Sequence, residues 1–339
     1  MRLSVIIPLY NKASLVGRAL DSVASQTFAD FEVIVVDDGS TDDGARTVES
    51  FSDSRVRLVR QRNTGPGAAR NRGLAEARGD LVAFLDADDE WLPDYLEESV
   101  RLLDAYGSEV ATITSGYFEF PSGKSNELMW RARGLTDGVS LVTPDTSPAL
   151  AVSMLAYMSP CTTVARTETI RKWGGFYARE HCLYAEDAHL WLKLLLNERV
   201  AFQLRPLARI HFEASGPTQT RQAVRPIEPF LVHPEEIEAV CPPELRGVLA
   251  RILAARALKT GCVLGYWGHW REARDLIRRF DVSEAWRLPY YTSSLVCRTP
   301  VGAGIGRAWR ALRFFQGLSG LLTSAAKTLL PGLLQEVFW

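Results

Sequence analysis

The chain has 339 residues, 47% of them hydrophobic and 23% charged, with a formal net charge of -1. That length supports one large domain or two smaller ones, and the near-neutral balance excludes a nucleic-acid binder with a broad basic face. The charge is nevertheless uneven: residues 1–220 carry 23 basic and 30 acidic side chains, whereas residues 221–339 carry 16 and 10. Five widely spaced cysteines without a C-x-x-C point to a reducing, cytoplasmic setting and away from a disulfide framework or a zinc site. The first apolar run is too short for a signal peptide. The longest uncharged central stretch, 146–165, is broken by Pro148 and Pro160, so it is not expected to span a membrane.

Along the first 120 residues, strand-like and helix-like patterns alternate. "LSVIIPLY" (3–10) is an apolar, β-branched run, and "SLVGRALDSVASQ" (14–26) has helical spacing behind Ser14 as N-cap. "FEVIVVDDGS" (31–40) is a second buried strand closed by a turn signal, and "TDDGARTVESF" opens the next helix. "VRLVRQ" (56–61), the Gly-bounded helix "GPGAARNRGLAEARG" (65–79), "DLVAFLDAD" (80–88), a helix entered near Pro93 and "EVATITSGYFEF" (109–120) complete the series. Near-continuous apolar strands alternating with helices predict parallel strands covered on both faces. Residues 121–150, rich in Gly, Pro, Ser and Thr, read as a long loop. "CTTVART" reads as a strand, "ETIRKWGGF" as a short helix, "EDAHLWLKLLLN" as an amphipathic helix and "VAFQLRPLARIHF" as one or two strands. Beyond 220 the patterns are helical, which divides the chain into a domain 1–220 and a helical region 221–339.

Open sheets of this kind bind ligands beyond the carboxyl ends of their strands. Those ends hold Tyr10 and Asn11, Asp37 and Asp38, and Asp86 to Asp89. Asp86 and Asp88 are two apart at a strand end, so they point the same way. Two parallel carboxylates beside a diphosphate require a divalent cation, and hard cations take carboxylate and phosphate oxygens together. A solvated acidic turn ahead of the next helix reads the same way. Asp37 and Asp38 suit a ribose or base contact, or simple turn chemistry. "GPGAAR" (65–70) lacks a third glycine and follows strand three, which counts against a nicotinamide-binding domain, although its helix N-terminus and Arg70 suit an anion. Glu186 and Asp187 open a helix, either for its dipole or as a general base. His211, after a strand-like segment, suits a metal or phosphate contact, or a plain surface role.

Taken together, "SVIIPLYNKASLVGRALDSVASQTFADFEVIVVDDGSTD", "NTGPGAARNRGLAEARGDLVAFLDADDEWLP" and "GGFYAREHCLYAEDAHLWLKLL" resemble family 2 glycosyltransferases of the GT-A fold over roughly residues 1–215. The resemblance implies a Rossmann-like, mostly parallel α/β sheet flanked by helices. It also implies sugar transfer from a nucleoside diphosphate donor, UDP-sugars favoured, with inversion at the anomeric carbon. Pro8, Tyr10 and Asn11 would border the nucleotide and Asp38 the base. Arg70 would meet the nucleotide or its phosphates, Asp86 the ribose, and Asp88 a Mn²⁺ or Mg²⁺ ion. Asp187 would be the catalytic base. His211 and Ser215 match an "R-x-H-x-x-x-S" block, giving His211 as a further metal contact. The implied partners are a nucleotide-sugar donor and a glycan or lipid-linked acceptor, with no nucleic acid.

The tail lies outside that resemblance. Arg307, Arg310, Arg313 and Lys327 can share one helical side, with Trp309, Leu312 and Phe315 largely away from it. This suits either the membrane interface, through residues 301–339, or packing on the catalytic domain. A nucleotidyltransferase also uses strand-end carboxylates and Mg²⁺, but it would show a glycine- and basic-rich loop after strand one, where this chain has "LYNKAS". A degenerate nucleotide-binding scaffold is the alternative that lacks catalysis.

Overall fold

In β1 (Leu3–Leu9), the side chains of Leu3, Val5, Ile7 and Leu9 are buried on one face and Ile6 on the other. A strand buried on both faces lies inside a sheet covered on each side by helices. The structure, a computed structural model, describes residues 1–213, 224–282 and 290–304. After β1 come α1 (Val16–Ala24), β2 (Phe31–Asp37), α2 (Gly44–Glu49), β3 (Val56–Arg60), α3 (Pro66–Glu76) and β4 (Leu81–Phe84). The short β5 (Glu90–Trp91), α4 (Tyr95–Tyr106), β6 (Val110–Phe120), β7 (Lys124–Ser125), α5 (Glu127–Ala132), β8 (Gly138–Ser140) and α6 (Pro148–Tyr157) follow. Next are β9 (Thr163–Arg166), α7 (Thr167–Lys172), α8 (Glu186–Asn197) and β10 (Arg199–His211).

Along the sheet the strand order is β3, β2, β1, β4, β9, β6, β10, β5, with β7 beside β6 and β8 beside β10. The pairs β3–β2, β2–β1, β1–β4 and β6–β10 are parallel, as the helix–strand alternation predicts. The sheet departs from that expectation at β9, which runs antiparallel to both β4 and β6, and at β5 and β8, which run antiparallel to β10. β9 starts opposite Thr114 in the interior of β6 and leads back toward the beginning of β4. An antiparallel return of this kind needs no crossover helix, so the alternation rule does not foresee it. The mostly parallel architecture is intact around it.

Two helices cover one face. Val16, Ala19, Leu20 and Val23 of α1 and Tyr95, Leu96, Val100 and Leu103 of α4 share a core with Val33, Val35 and the odd-numbered residues of β1. On the opposite face α3 packs through Ala69 against Ile34 and Val36. α3 also presses Gly73 onto Ile6 so closely that a Cβ would collide with the isoleucine side chain. Each fully buried aliphatic side chain stabilises the fold by about 1.5–3 kcal/mol.

The segment 121–150 is not the loop its composition suggests. It holds α5, whose Trp130 is 4% exposed and meets the Tyr157 ring edge-on at 5.3 Å. Six residues are too few to show helical periodicity, and burial of one tryptophan is what holds them. The chain divides into two compact units: Met1–Thr143, Ser153–Gln219 and Glu228–Leu245 form one, and Pro144–Val152, Thr220–Ile227 and Arg246–Trp339 the other. The first also contains the short α9 (Pro229–Val232) and α10 (Glu235–Glu238). The second is built on α11 (Arg246–Trp267), α12 (Trp270–Arg278) and α13 (Tyr291–Cys297). In it Gly261 sits under Ile277, where a Cβ would come within 2.6 Å of the Ile277 Cδ1, so glycine sets the close approach of α11 and α12. No helix among the described residues is long and apolar enough to cross a membrane. Arg307, Arg310, Arg313, Lys327 and Ser215 lie outside the described residues.

Candidate active site

Three loops at the carboxyl edge of the sheet interlock. Asn11, with a left-handed φ of +52°, accepts on Oδ1 from the Thr41 N–H at 2.8 Å and the Thr41 hydroxyl at 3.2 Å, while its own N–H donates to Ser40 Oγ. The Ala13 N–H donates to Asp42 Oδ2 at 2.8 Å. Pro8 lies in β1 opposite Val36, and Tyr10 beyond it is 47% exposed. Asp38 is 3% exposed, and its carboxylate is heavily used. Oδ1 accepts from Gln61 Nε2 at 2.7 Å and the Thr64 N–H at 2.9 Å, and Oδ2 from the Gly65 N–H at 2.8 Å. A carboxylate offers about four lone-pair positions, so Asp38 is a knot that holds the chain leading into α3. Gly65 there has φ +94°, a conformation glycine adopts without strain.

From that anchored start α3 carries Arg70 inward. The Arg70 guanidinium is 4% exposed. Its Nη2 lies 2.6 Å from Asp86 Oδ1, just past β4, and its Nη1 lies 2.6 Å from Glu186 Oε1, in the first turn of α8. The Phe176 ring underlies it at 5.2 Å and is itself wedged edge-on between Phe84 and Trp191. Asn71 adds a two-point bond to Phe176, donating to its carbonyl and accepting from its N–H, both at 2.8 Å. Gly67 faces the Tyr177 carbonyl and the Glu186 side chain with no room for a Cβ. These contacts fasten the start of α8 to α3. Ala185, left-handed at φ +56°, turns the chain into that helix.

The electrostatics follow from this packing. Burial alone would lower the Arg70 pKa, and the carboxylates of Asp86, Glu186 and Asp187 together raise it above its ordinary value. Half-buried Asp187 is pushed from 3.8 up to about 7, first by desolvation and then by the Glu186 charge beside it. Arg70 and the Ala188 N–H, 2.8 Å from Asp187 Oδ1, pull the other way, and Asp86 is near enough to add to the rise.

The β4 end supplies the second half of the site. Asp88 is ion-paired to Lys12 at 2.7 Å, and Arg18 donates to the Asp88 carbonyl. Desolvation and the neighbouring Asp86 charge raise the Asp88 pKa, against the pull of Lys12. Asp89 is pushed well above its ordinary value by burial and by Asp86 and Asp88, although it accepts the His211 N–H at 2.8 Å. The ligating atoms of Asp86, Asp89 and Cys161 lie within 4.8 Å of one another, the one such group of three or more among the described residues. Burial holds the Cys161 thiol protonated, with its pKa raised well above 9.0. The carboxylates therefore fit a hard divalent cation, which would relieve their mutual repulsion, whereas the thiol is a poor partner for one. His211 belongs to a different arrangement. Its Nε2 faces Glu90 and its Nδ1 faces Glu213, each at 2.9 Å, and its ring stacks on Phe120.

Asp86, Arg70 and Asp187 thus converge with Glu186, and Asp88 sits on the Lys12 side of the same turn. Asp38 and Asn11 brace the loops, and His211 grips the turn through Asp89 and Glu90. The sequence placed Asp89 only among the acids ahead of the next helix, and gave no role to Lys12, Cys161 or the Glu186 ion pair. Lys12 had a signal, a cation directly beyond β1 and opposite an acidic strand end. Cys161 had none, because it reaches the site only through the reversed β9.

A mostly parallel α/β sheet with clustered acids at its carboxyl edge, facing the first turn of a helix, is the GT-A class of fold. The structure superposes on TarS of S. aureus, solved as residues 1–349 in complex with UDP-GlcNAc, with a TM-score of 0.63 and 21% identity over 92% of each chain. It also superposes on the mannosyltransferase PcManGT of Pyrobaculum calidifontis, solved with GDP-Man and Mn2+, at a TM-score of 0.50 and 20% identity over 91% of this chain and 87% of that one. Residues 4–158, a little under half of the chain, match the family model described as Glycosyl transferase family 2. Similar proteins include the succinoglycan biosynthesis protein ExoO of Rhizobium meliloti, 42% identical over 31% of each chain. The glycosyltransferase GlyA of Streptococcus pneumoniae is 36% identical over 35% of this chain and 17% of its own. An uncharacterized glycosyltransferase of a Nostoc species is 43% identical over 30% of this chain and 33% of its own. The chain spans about a third or less of the length of these three relatives.

Proposed function

We propose that the protein is an inverting, divalent-metal-dependent glycosyltransferase. It moves a sugar from a nucleoside diphosphate donor, with UDP-sugars favoured, to a hydroxyl of a glycan or lipid-linked acceptor. The reaction would serve cell-surface polysaccharide or glycolipid synthesis on the cytoplasmic side, with residues 1–220 as the catalytic part and 221–339 as a helical appendage. The observation that carries the reading is the Arg70 bridge: it joins the acid at the end of β4 to the first turn of α8, where Asp187 has a pKa of about 7. Support for the donor comes from TarS, solved with UDP-GlcNAc, and PcManGT, solved with GDP-Man and Mn2+. Support for the setting comes from ExoO, a succinoglycan biosynthesis protein.

In this reading Pro8, Tyr10, Asn11 and the loop braced by Asp38 border the nucleotide, and Asp86 meets the ribose. Asp88 would hold the cation, next to the Asp86 and Asp89 carboxylates whose repulsion the ion would relieve, with His211 supporting that turn through Asp89. A bound Mn²⁺ or Mg²⁺ would supply positive charge for the departing diphosphate. Asp187 takes the proton of the acceptor hydroxyl as its oxygen attacks the anomeric carbon from the face opposite the diphosphate, and the bond to the diphosphate breaks. A base with a pKa near the operating pH is half ionised and still basic enough to accept that proton. The test is a panel of nucleotide sugars with wild type and Asp187→Asn. The variant is expected to bind UDP like wild type and to lose a factor on the order of 10² to 10⁴ in transfer. Transfer by Asp187→Asn at the wild-type rate refutes the reading.

A further inference from the structure

Arg70 has the chemistry of a phosphate ligand but little freedom to act as one. Both terminal nitrogens are engaged at 2.6 Å, the guanidinium is 4% exposed, and the Phe176 ring blocks it from below. Its Nε is buried without a hydrogen-bond partner among the described residues. Its two partners come from different elements, Asp86 from the turn after β4, 16 positions away in sequence, and Glu186 from the first turn of α8, 116 away. We propose that Arg70 is a positioning residue for the base, clamping the acid at the end of β4 to Glu186 and so fixing the first turn of α8 that carries Asp187. The inference rests on the reading of Asp187 as base and deepens it.

The physical argument is geometric. A buried guanidinium that bridges two carboxylates is a planar, two-ended tie, and a lysine ammonium cannot reproduce it. Among the described residues Asp187 accepts one side-chain hydrogen bond at the helix start, from the Ala188 N–H next to it, so its orientation depends on where α8 begins. The charged or titratable groups around Asp187 are Glu186 on its own helix, Arg70 from α3, Asp86 from the turn after β4 and Cys182 from the preceding loop. Donor occupancy at Asp86 and placement of the base at Asp187 are therefore linked through one side chain.

The experiment compares Arg70→Lys and Glu186→Gln with wild type in three measurements: backbone hydrogen exchange of residues 184–190 without ligand, UDP affinity, and the pH dependence of kcat and KM for transfer. The clamp predicts that Arg70→Lys speeds that exchange by about tenfold or more and leaves UDP affinity within about threefold. It predicts a fall in kcat of about thirtyfold with donor KM nearly unchanged, the pattern of a misplaced base. The acid limb of kcat is expected to move to lower pH in Glu186→Gln, which loses a negative neighbour of Asp187. In Arg70→Lys it is expected to move to higher pH, because the counter-charge is less well placed. A merely structural defect does not move the two limbs in opposite directions. Unchanged exchange with UDP affinity weakened tenfold or more would make Arg70 a phosphate ligand and overturn the proposal. Unshifted or same-direction limbs overturn it too. If Arg70→Lys fails to fold, Glu186→Gln carries the exchange and pH arms alone, and unchanged values there count against the clamp. If no nucleotide sugar is a donor for wild type, the proposed function fails while hydrogen exchange still decides the clamp.

Discussion

Asp187→Asn should stabilise the protein, and only at higher pH. In the folded state the carboxyl has a pKa of about 7 against an ordinary value of 3.8. A folded-state pKa raised above the unfolded one means that the native protein holds more protons between those two values, so stability falls as pH rises from about 4 to about 7. Below pH 4 the group is protonated in both states and has no effect. Above pH 7 the destabilisation is complete. The difference of roughly three pH units sets a ceiling of about 4 kcal/mol. Solvent reaches the half-buried oxygens and Glu186 shares the repulsion, which reduces the expected gain for Asp187→Asn to about 1–2 kcal/mol at pH 8. For a unit of this size that is about 2–8 °C in Tm. Thermal unfolding of both proteins at pH 5 and pH 8 measures it: the gain should shrink toward pH 5 while transfer is lost at every pH. A gain independent of pH, or a loss of stability at pH 8, would refute the assignment of burial and Glu186 as the causes of the raised pKa.

Gly67→Ala forces a methyl group into the Tyr177 carbonyl and toward Glu186, so α8 must shift. Urea unfolding should show a loss of about 1–3 kcal/mol, together with reduced transfer. Asp38→Asn replaces an acceptor-only carboxylate by an amide facing the Thr64 and Gly65 N–H groups. It should cost about 1–3 kcal/mol and lower UDP affinity, which calorimetry would measure. For metal dependence, the thermal shift produced by UDP should vanish in chelator, return with Mn²⁺ in wild type and fail to return in Asp88→Asn. A full UDP response in chelator would remove the cation from the proposal.

Much of this molecule was legible without coordinates. The alternation of apolar strands and helices, the turn signal after β2, and the acids clustered at one edge are local properties of a few consecutive residues, and side-chain periodicity and turn chemistry determine them. Tertiary structure decided the rest. The reversed β9 brought Cys161 beside Asp86 and Asp89. Burial of Trp130 made a helix of α5 where composition suggested a loop. Lys12 met Asp88 across 76 positions and Arg70 met Glu186 across 116. Partners so distant in sequence are chosen by strand order and register, and the raised pKa of Asp187 arises from burial, which no single segment of the chain possesses before it is packed.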